Sequence, residues 1–382
     1  MSVDETLSSG LTKQGSGFKT KTEDDANLDI LNSLLHGDNY LINGDQRIDQ
    51  RGASSAIAIT NATSDYGVDR WVGSSTQNGY LTMQQVEDAP TDSGFKFSTQ
   101  IKQINATPAT VGGTNIAYYA QRIEGLNCID LELGTTGAKT VTLSFWIKGT
   151  VAGTYSGSLG NSAQNRMYPF EFPVTTAWVK QSITIDLDIT GTWLTTKGIG
   201  LTVYFDIGSG GSRKDTANVW TANPRFGTTG SVALTEQVQN STLNFTGIKL
   251  QQGSKATPWR NLDMAIEFAK CRRYYRRWLG STDGDYYPFE GQISTTVLAY
   301  FLINTHDMRS PNDAIADDSG DTDFKVHHLE LNRDSTSIGA YNVTDSSVRM
   351  SINNTSANFV AGSSCLLRSS AANSWVEVDN EL

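Results

Sequence analysis

Cysteine is scarce. Cys128, Cys271 and Cys365 are odd in number and far apart in 382 residues, and no CxxC spacing exists. A disulfide framework, a zinc ribbon and a thioredoxin-like site are therefore not indicated, and the three read as scattered, buried thiols. Charged residues make up only 18% of the chain, too few for long helices held by Glu–Lys pairs. Basic residues are in deficit, 30 Lys and Arg against 40 Asp and Glu, for a net charge of −10. A field of that sign repels phosphate backbones and anionic membrane surfaces, so neither nucleic acid nor membrane is an expected partner. No apolar run approaches the roughly 18 residues of a membrane span. The opening MSVDETLSSGLTKQG lacks a basic stretch followed by an apolar one, so the expectation is folding in a cytoplasm. Chemistry-bearing motifs are missing too: there is no HExxH, no P-loop and no nucleophile elbow. The 40 acidic residues offer many carboxylate pairs, but nothing singles one out. The expectation is a protein that is not an enzyme. Of the histidines His36, His306, His327 and His328, the adjacent pair would point to opposite faces of a strand and make a poor metal site.

What is present is strand material. A hydrophobic fraction of 38% suffices for real cores, and the abundance of Thr, Ser, Asn, Gly and aromatics suits short twisted strands with polar turns. The length predicts two folded units and a short terminal segment. Val141, Leu143, Phe145 and Ile147 share one face of a strand; Thr142, Ser144, Trp146 and Lys148 share the other. The alternation returns at Ile183–Ile189, opposed by Ser182, Thr184, Asp186 and Asp188. It returns again at Leu201–Ile207, opposed by Thr202, Tyr204 and Asp206. The pattern predicts a mainly β chain: an antiparallel, jelly-roll-like sandwich over 38–262 and a smaller C-terminal β domain over 281–382. Between them Met264, Phe268, Cys271, Tyr275 and Trp278 recur at four and three residues. That spacing predicts a connecting amphipathic helix over 263–280, ended by Gly280, whose seam would join several chains. Residues 1–37 carry an apolar cluster, Leu28, Ile30, Leu31, Leu34 and Leu35, stopped by Gly37. Such a segment needs a partner surface.

Five stretches in order carry a resemblance: Tyr40–Gly52 (YLINGDQRIDQRG), Val68–Trp71 (VDRW), Leu143–Lys148, Gly247–Gly253 with Ala256–Pro258, and Cys271–Tyr275 (CRRYY). Together with Met308–Pro311 and Asp379–Leu382, the set resembles a group of phage and prophage tail-fibre or minor virion structural proteins. Their sandwich is similar to carbohydrate-binding modules. The resemblance implies a virion protein assembled in the host cytoplasm and released by lysis. It also implies a homotrimer, glycan contact at the host surface, and an N-terminal segment attached to other virion proteins. The alternatives are a capsid-decorating, head-fibre or tail protein without receptor contact, and a glycan depolymerase.

For glycan binding the second face of the clearest strands is the first candidate: Trp146, Tyr204, Asp186, Asp206 and Lys148. Aromatic planes stack on the C–H faces of sugars, while carboxylates, amides and hydroxyls take the ring hydroxyls. The competing expectation is that this face packs against another sheet or subunit. The loop aromatics Tyr168, Trp178, Trp193 and Trp220 form a second set, with core anchoring as the alternative. Trp71 and Trp259 read as structural. The basic cluster Lys270–Arg277 is read as covering aromatic faces and pairing with acidic loops rather than as a nucleic-acid track. No cofactor is expected. A structural Ca²⁺ is considered near Asn43 or Asp45, and the Asp313–Asp323 stretch is read as a solvated loop.

Overall fold

The computed structural model describes residues 39–61, 65–309, 315–320, 322–329, 331–338, 342–343 and 347–382. The N-terminal segment 1–37 with its apolar cluster lies outside the described residues, as does part of Asp313–Asp323. The chain is mainly β, and its one α-helix among the described residues is short.

Fourteen strands build the first unit. They are β1 (Ile57–Ile59), β2 (Asp65–Tyr66), β3 (Val72–Ser75), β4 (Leu81–Val86), β5 (Ser98–Gln103), β6 (Ala117–Glu124) and β7 (Thr140–Gly149). Then come β8 (Gly153–Gly160), β9 (Met167–Val174), β10 (Val179–Asp186), β11 (Ile199–Asp206), β12 (Lys214–Asp215), β13 (Gly227–Thr228) and β14 (Thr242–Gln252). One six-stranded sheet runs β1-β4-β5-β14-β7-β10 and the other β2-β3-β6-β11-β8-β9. All pairings within both sheets are antiparallel. The alternation explains how they pack. Leu143, Phe145 and Ile147 of β7 meet Val203 and Phe205 of β11 in one fully buried core. There the Phe145 and Phe205 rings lie edge to face at 5.0 Å. Each such side chain contributes ~1.5–3 kcal/mol by leaving water.

After the sandwich, α1 (Met264–Arg272) is capped by Asp263, whose carboxylate accepts the Ala265 N–H at 2.8 Å. The expected helix over 263–280 is therefore only half right. It stops at Arg272, and Tyr275–Gly280 form the strand β15. The seam is not one helical face. Met264 is 48% exposed, Cys271 and Tyr275 are buried, and Trp278 packs edge-on against Phe289 at 5.0 Å. Phe268 is half-buried beside Arg272. Spacings of four and three fit a helix, but six cross-strand pairs with a segment a hundred residues later outcompete it.

That partner belongs to the C-terminal unit, whose strands are β16 (Tyr286–Thr295), β17 (Leu298–Asn304), β18 (Ile315–Asp318), β19 (Phe324–His328) and β20 (Leu331–Asp334). They continue with β21 (Ser337–Ile338), β22 (Asn342–Val343), β23 (Ser347–Asn353), β24 (Ser364–Ser369) and β25 (Ser374–Asp379). A three-stranded sheet β15-β25-β18 joins an eight-stranded one around a second core that includes Phe289, Phe301, Phe324, Met350 and Val378.

Four of the stretches that carried the resemblance, Tyr40–Gly52, Val68–Trp71, Cys271–Tyr275 and Asp379–Leu382, meet where the two units join. Trp71 stacks on Tyr119 at 5.0 Å and donates to the Asn43 carbonyl at 3.1 Å. Arg70, 1% exposed, is ion-paired to Glu381 and lies 3.5 Å over the Tyr274 ring. Arg51 repeats the device, 3.5 Å over Tyr275 and paired to Asp379 at 2.7 Å. Arg273 and the Tyr274 hydroxyl both reach the buried Glu124, each at 2.9 Å. Arg276 pairs with Asp307 at 2.5 Å. These arginines cover aromatic faces and neutralise acids at the joint.

Candidate functional site

The outer face of the β1-β4-β5-β14-β7-β10 sheet is open in part: Trp146 and Lys148 are half-buried there, whereas Asn244 and Thr246 are 1% and 0% exposed. Strand register aligns Gln84, Gln100, Asn244 and Lys148 in one row across β4, β5, β14 and β7. The neighbouring row brings Thr246, Trp146 and Lys180 together. Directly opposed residues of an antiparallel sheet share a face, so these side chains form one surface. Trp178, at the head of β10, closes the first row. Lys148 Nζ lies 5.2 Å from its ring and 2.6 Å from the Asp88 carboxylate. Asp88 also accepts the Trp178 indole N–H at 3.4 Å and the Asn244 amide at 3.4 Å. Trp146, Lys148, Trp178, Phe95 and Phe97 are all half-buried.

A β-bulge in β14 shapes this surface. The register with β7 shifts between Thr246 and Lys249, and Gly247 takes a left-handed φ of +59°. Phe95 and Trp146 close over it: a Cβ on Gly247 would stand 2.6 Å from Phe95 and 3.2 Å from Trp146. Only glycine allows both rings to approach this backbone. Beyond the bulge, Lys249 and Gln251 are buried, with Lys249 Nζ donating to the Thr257 hydroxyl at 2.6 Å and Gln251 to the Lys255 carbonyl at 3.1 Å.

The structure divides the five-residue candidate. Trp146 and Lys148 belong to the open face. Asp186 is exposed on the same sheet, but at its edge strand, where it accepts the Thr140 hydroxyl at 2.6 Å. Tyr204 and Asp206 sit on β11 in the opposite sheet and are 3% and 2% exposed. Tyr204 packs edge to face on Tyr118 and Phe226, and burial pushes its hydroxyl up to about 12. Burial also raises the Asp206 carboxyl, despite Lys214 at 3.6 Å and the Ser209 N–H at 2.7 Å. The expected common platform does not exist, because strands of equal pattern went to different sheets.

The loop aromatics divide likewise. Trp193 is buried and donates to the Thr190 carbonyl at 3.0 Å. Trp220 meets the rings of both Trp193, at 5.7 Å, and Tyr168, at 5.2 Å, and these three brace the core. Only Trp178 joins the open face. The contributions of Gln84, Gln100, Asn244 and Asp88 went unnoticed in the sequence; Asn244 is the visible clue, a polar residue between Leu243 and Phe245 of a strand.

A second concavity lies between the sandwich and α1. It encloses about 420 Å³ and is walled by Asn39–Ile42, Asn127 and Asp130, Trp259–Leu262, and Glu267–Tyr274 of the following helix and turn. Asp45 lies in it, paired to Arg47 at 2.9 Å; burial raises its carboxyl to about 6. Asn43, beside it, gives its carboxamide to the backbone of Ile48 and Asp69. These donors hold the chain itself and do not converge on an oxygen cage for Ca²⁺. Among the described residues no group of three or more His, Cys, Asp or Glu stands together as a metal site. The three thiols are buried and unpaired, those of Cys128 and Cys365 pushed up to about 12 by burial.

No protein-family model matches the chain, and no curated protein matches it. Solved structures give distant likenesses. The enzymatically active domain of bacteriophage CBA120 tailspike protein 4 is 13% identical over 56% of this chain, with a TM-score of 0.31. The chain spans only 21% of that tailspike domain. The family 11 carbohydrate-binding module of a Clostridium thermocellum cellulase is 13% identical over 53% of this chain and 98% of its own, at a TM-score of 0.27. A xylan-binding domain of Paenibacillus barcinonensis is 11% identical over 58% and 97%, at 0.28. Likenesses of this size transfer no site residues.

Proposed function

We propose that the chain is a non-enzymatic, glycan-binding virion protein of the phage tail-fibre kind, which holds host-surface sugar on the open face of its first sheet. The observation that carries the reading is the pair Trp146 and Trp178, flanking a row of amides with the Lys148–Asp88 pair. An aromatic plane takes the apolar side of a pyranose, and the half-buried Gln84 and Gln100 carry amide groups suited to its hydroxyls. The virion assignment is supported by the ordered motifs. A homotrimer attached through its N-terminal segment would repeat a weak, shallow site and so gain avidity. The test is binding of the purified chain to intact host-type cells, glycan-stripped cells and a soluble glycan panel, with sugar release recorded. Binding that is lost on stripping and in Trp146→Ala and Trp178→Ala, without sugar release, is expected. Binding that survives both substitutions sinks the site, and sugar release sinks the non-enzymatic reading.

A further inference from the structure

The cavity beside α1 adjoins the open face, and one side chain serves both. Trp259 lines the cavity, and its ring meets the edge of Phe95 at 5.1 Å. Phe95 in turn closes over Gly247 together with Trp146. Along β14, the buried Asn244 and Thr246 pair with Lys148 and Trp146 of the open face, and Lys249 lines the cavity. Five residues at about 3.3 Å each place the two roughly 16 Å apart at most. The volume of about 420 Å³ is that of a small-ligand site.

One group inside it points to a ligand. Glu267, on α1, is 5% exposed. Its Oε1 accepts the Asn43 backbone N–H, whereas its Oε2 is buried without a hydrogen-bond partner, 3.8 Å from Lys270 Nζ. A buried carboxylate oxygen without a hydrogen-bond donor has its desolvation cost offset only in part by an ammonium at that distance. An O–H or N–H entering the cavity would relieve it. Of the cations that line the cavity, Lys270 meets Glu267 only at 3.8 Å, Arg260 is exposed, and Arg47 Nε is buried without a hydrogen-bond partner. Arg47 is ion-paired to Asp45 and Arg273 to Glu124, and Lys249 is held by Thr257 and the Pro258 carbonyl. At Glu267 the unmet valence is an acceptor's, which suits a hydroxyl or amino hydrogen of a sugar.

We propose that this cavity is the terminal subsite of the glycan site, so that the protein grips a chain end rather than the interior of a polymer. The proposal rests on the open face being the glycan platform. Its walls come from five separate segments, so a sugar chain that enters past Trp259 stops against α1. Glu267 takes a hydroxyl or amino hydrogen of the last unit, and the Tyr40 and Trp259 rings flank it.

The experiment uses an array of neutral oligosaccharides of two to six pyranose units, each in free form and with both terminal units O-methylated. The full chain should bind the free form of its preferred sugar about 10–100-fold more tightly than the blocked one, the span expected for a hydrogen bond to a charged group. Glu267→Gln should erase that preference while retaining affinity for the blocked form. Leu262→Trp keeps the carboxylate and fills the cavity, so it gives the same readout should Glu267→Gln fold poorly. Trp146→Ala should weaken both forms. A preference that persists in both cavity variants while Trp146→Ala abolishes binding overturns the end-grip proposal alone. Unchanged affinity in Trp146→Ala overturns the platform reading and this proposal with it.

Discussion

The two outer faces of the sandwich are built from strands of the same alternation and have met opposite fates. On the β7 side, Trp146 and Lys148 remain half-exposed beside Gln84 and Gln100. On the β11 side, Thr202, Tyr204 and Asp206 are buried beneath a second aromatic cluster of Tyr66, Tyr118 and Phe226. The covering is the chain between β11 and β14, which folds back so that Lys214 reaches Asp206 and Phe226 reaches Tyr118. A polar residue at the outward position of a strand thus has two different jobs. Where nothing folds over it, it is available to a ligand; where a loop does, it must be satisfied internally.

Breaking the covered face should have the largest effect. Tyr204→Ala removes a ring held between Tyr118 and Phe226, and should cost about 3–5 kcal/mol in a denaturant titration. A cost below about 1 kcal/mol would mean that the two faces do not differ as described. Next comes Gly247→Ala on the open face, where strain at positive φ and the clash with Phe95 should cost about 1–3 kcal/mol. This variant should also lose glycan binding, since both rings must move; intact binding would detach the bulge from the site.

The joint sharpens the comparison through pH. Asp45 and Asp69 are raised by burial to about 6, above their unfolded value of 3.8. A carboxyl raised on folding binds its proton more tightly when folded, so stability should rise as pH falls from 7 towards 4. Asp45→Asn should remove up to about 2 kcal/mol of that gain, seen as a flatter dependence of melting temperature on pH. A melting temperature that falls over this range in the parent chain would contradict the assignment. The smallest effect on stability belongs to Trp146→Ala, under about 1 kcal/mol because its ring is only half-buried, although binding should drop most there.

The inward halves of the strands were legible residue by residue. Leu143, Phe145, Val203 and Phe205 all lie in the core that their alternation predicted. The joint was legible only as words: Arg51, Arg70, Tyr274 and Glu381 look unremarkable apart, and no spacing reveals that they touch. The helix over 263–280 was misread from Tyr275 onward because helical spacing is a local signal, whereas β15 is held by β25. Within the candidate site, Trp146, Lys148 and Trp178 were found, and Tyr204 and Asp206 were assigned to the wrong surface.

Taken alone, the sequence determined that the chain is mainly β, and for strands such as β7 and β11 which side faces inward. Those properties follow from a two-residue period that any strand must obey. Tertiary structure alone decided which strands share a sheet, which outer face is roofed, and that Glu267 ends at the same cavity as Tyr40 and Trp259. Strand order and loop return depend on contacts between residues far apart in the chain, and local spacing carries no record of them.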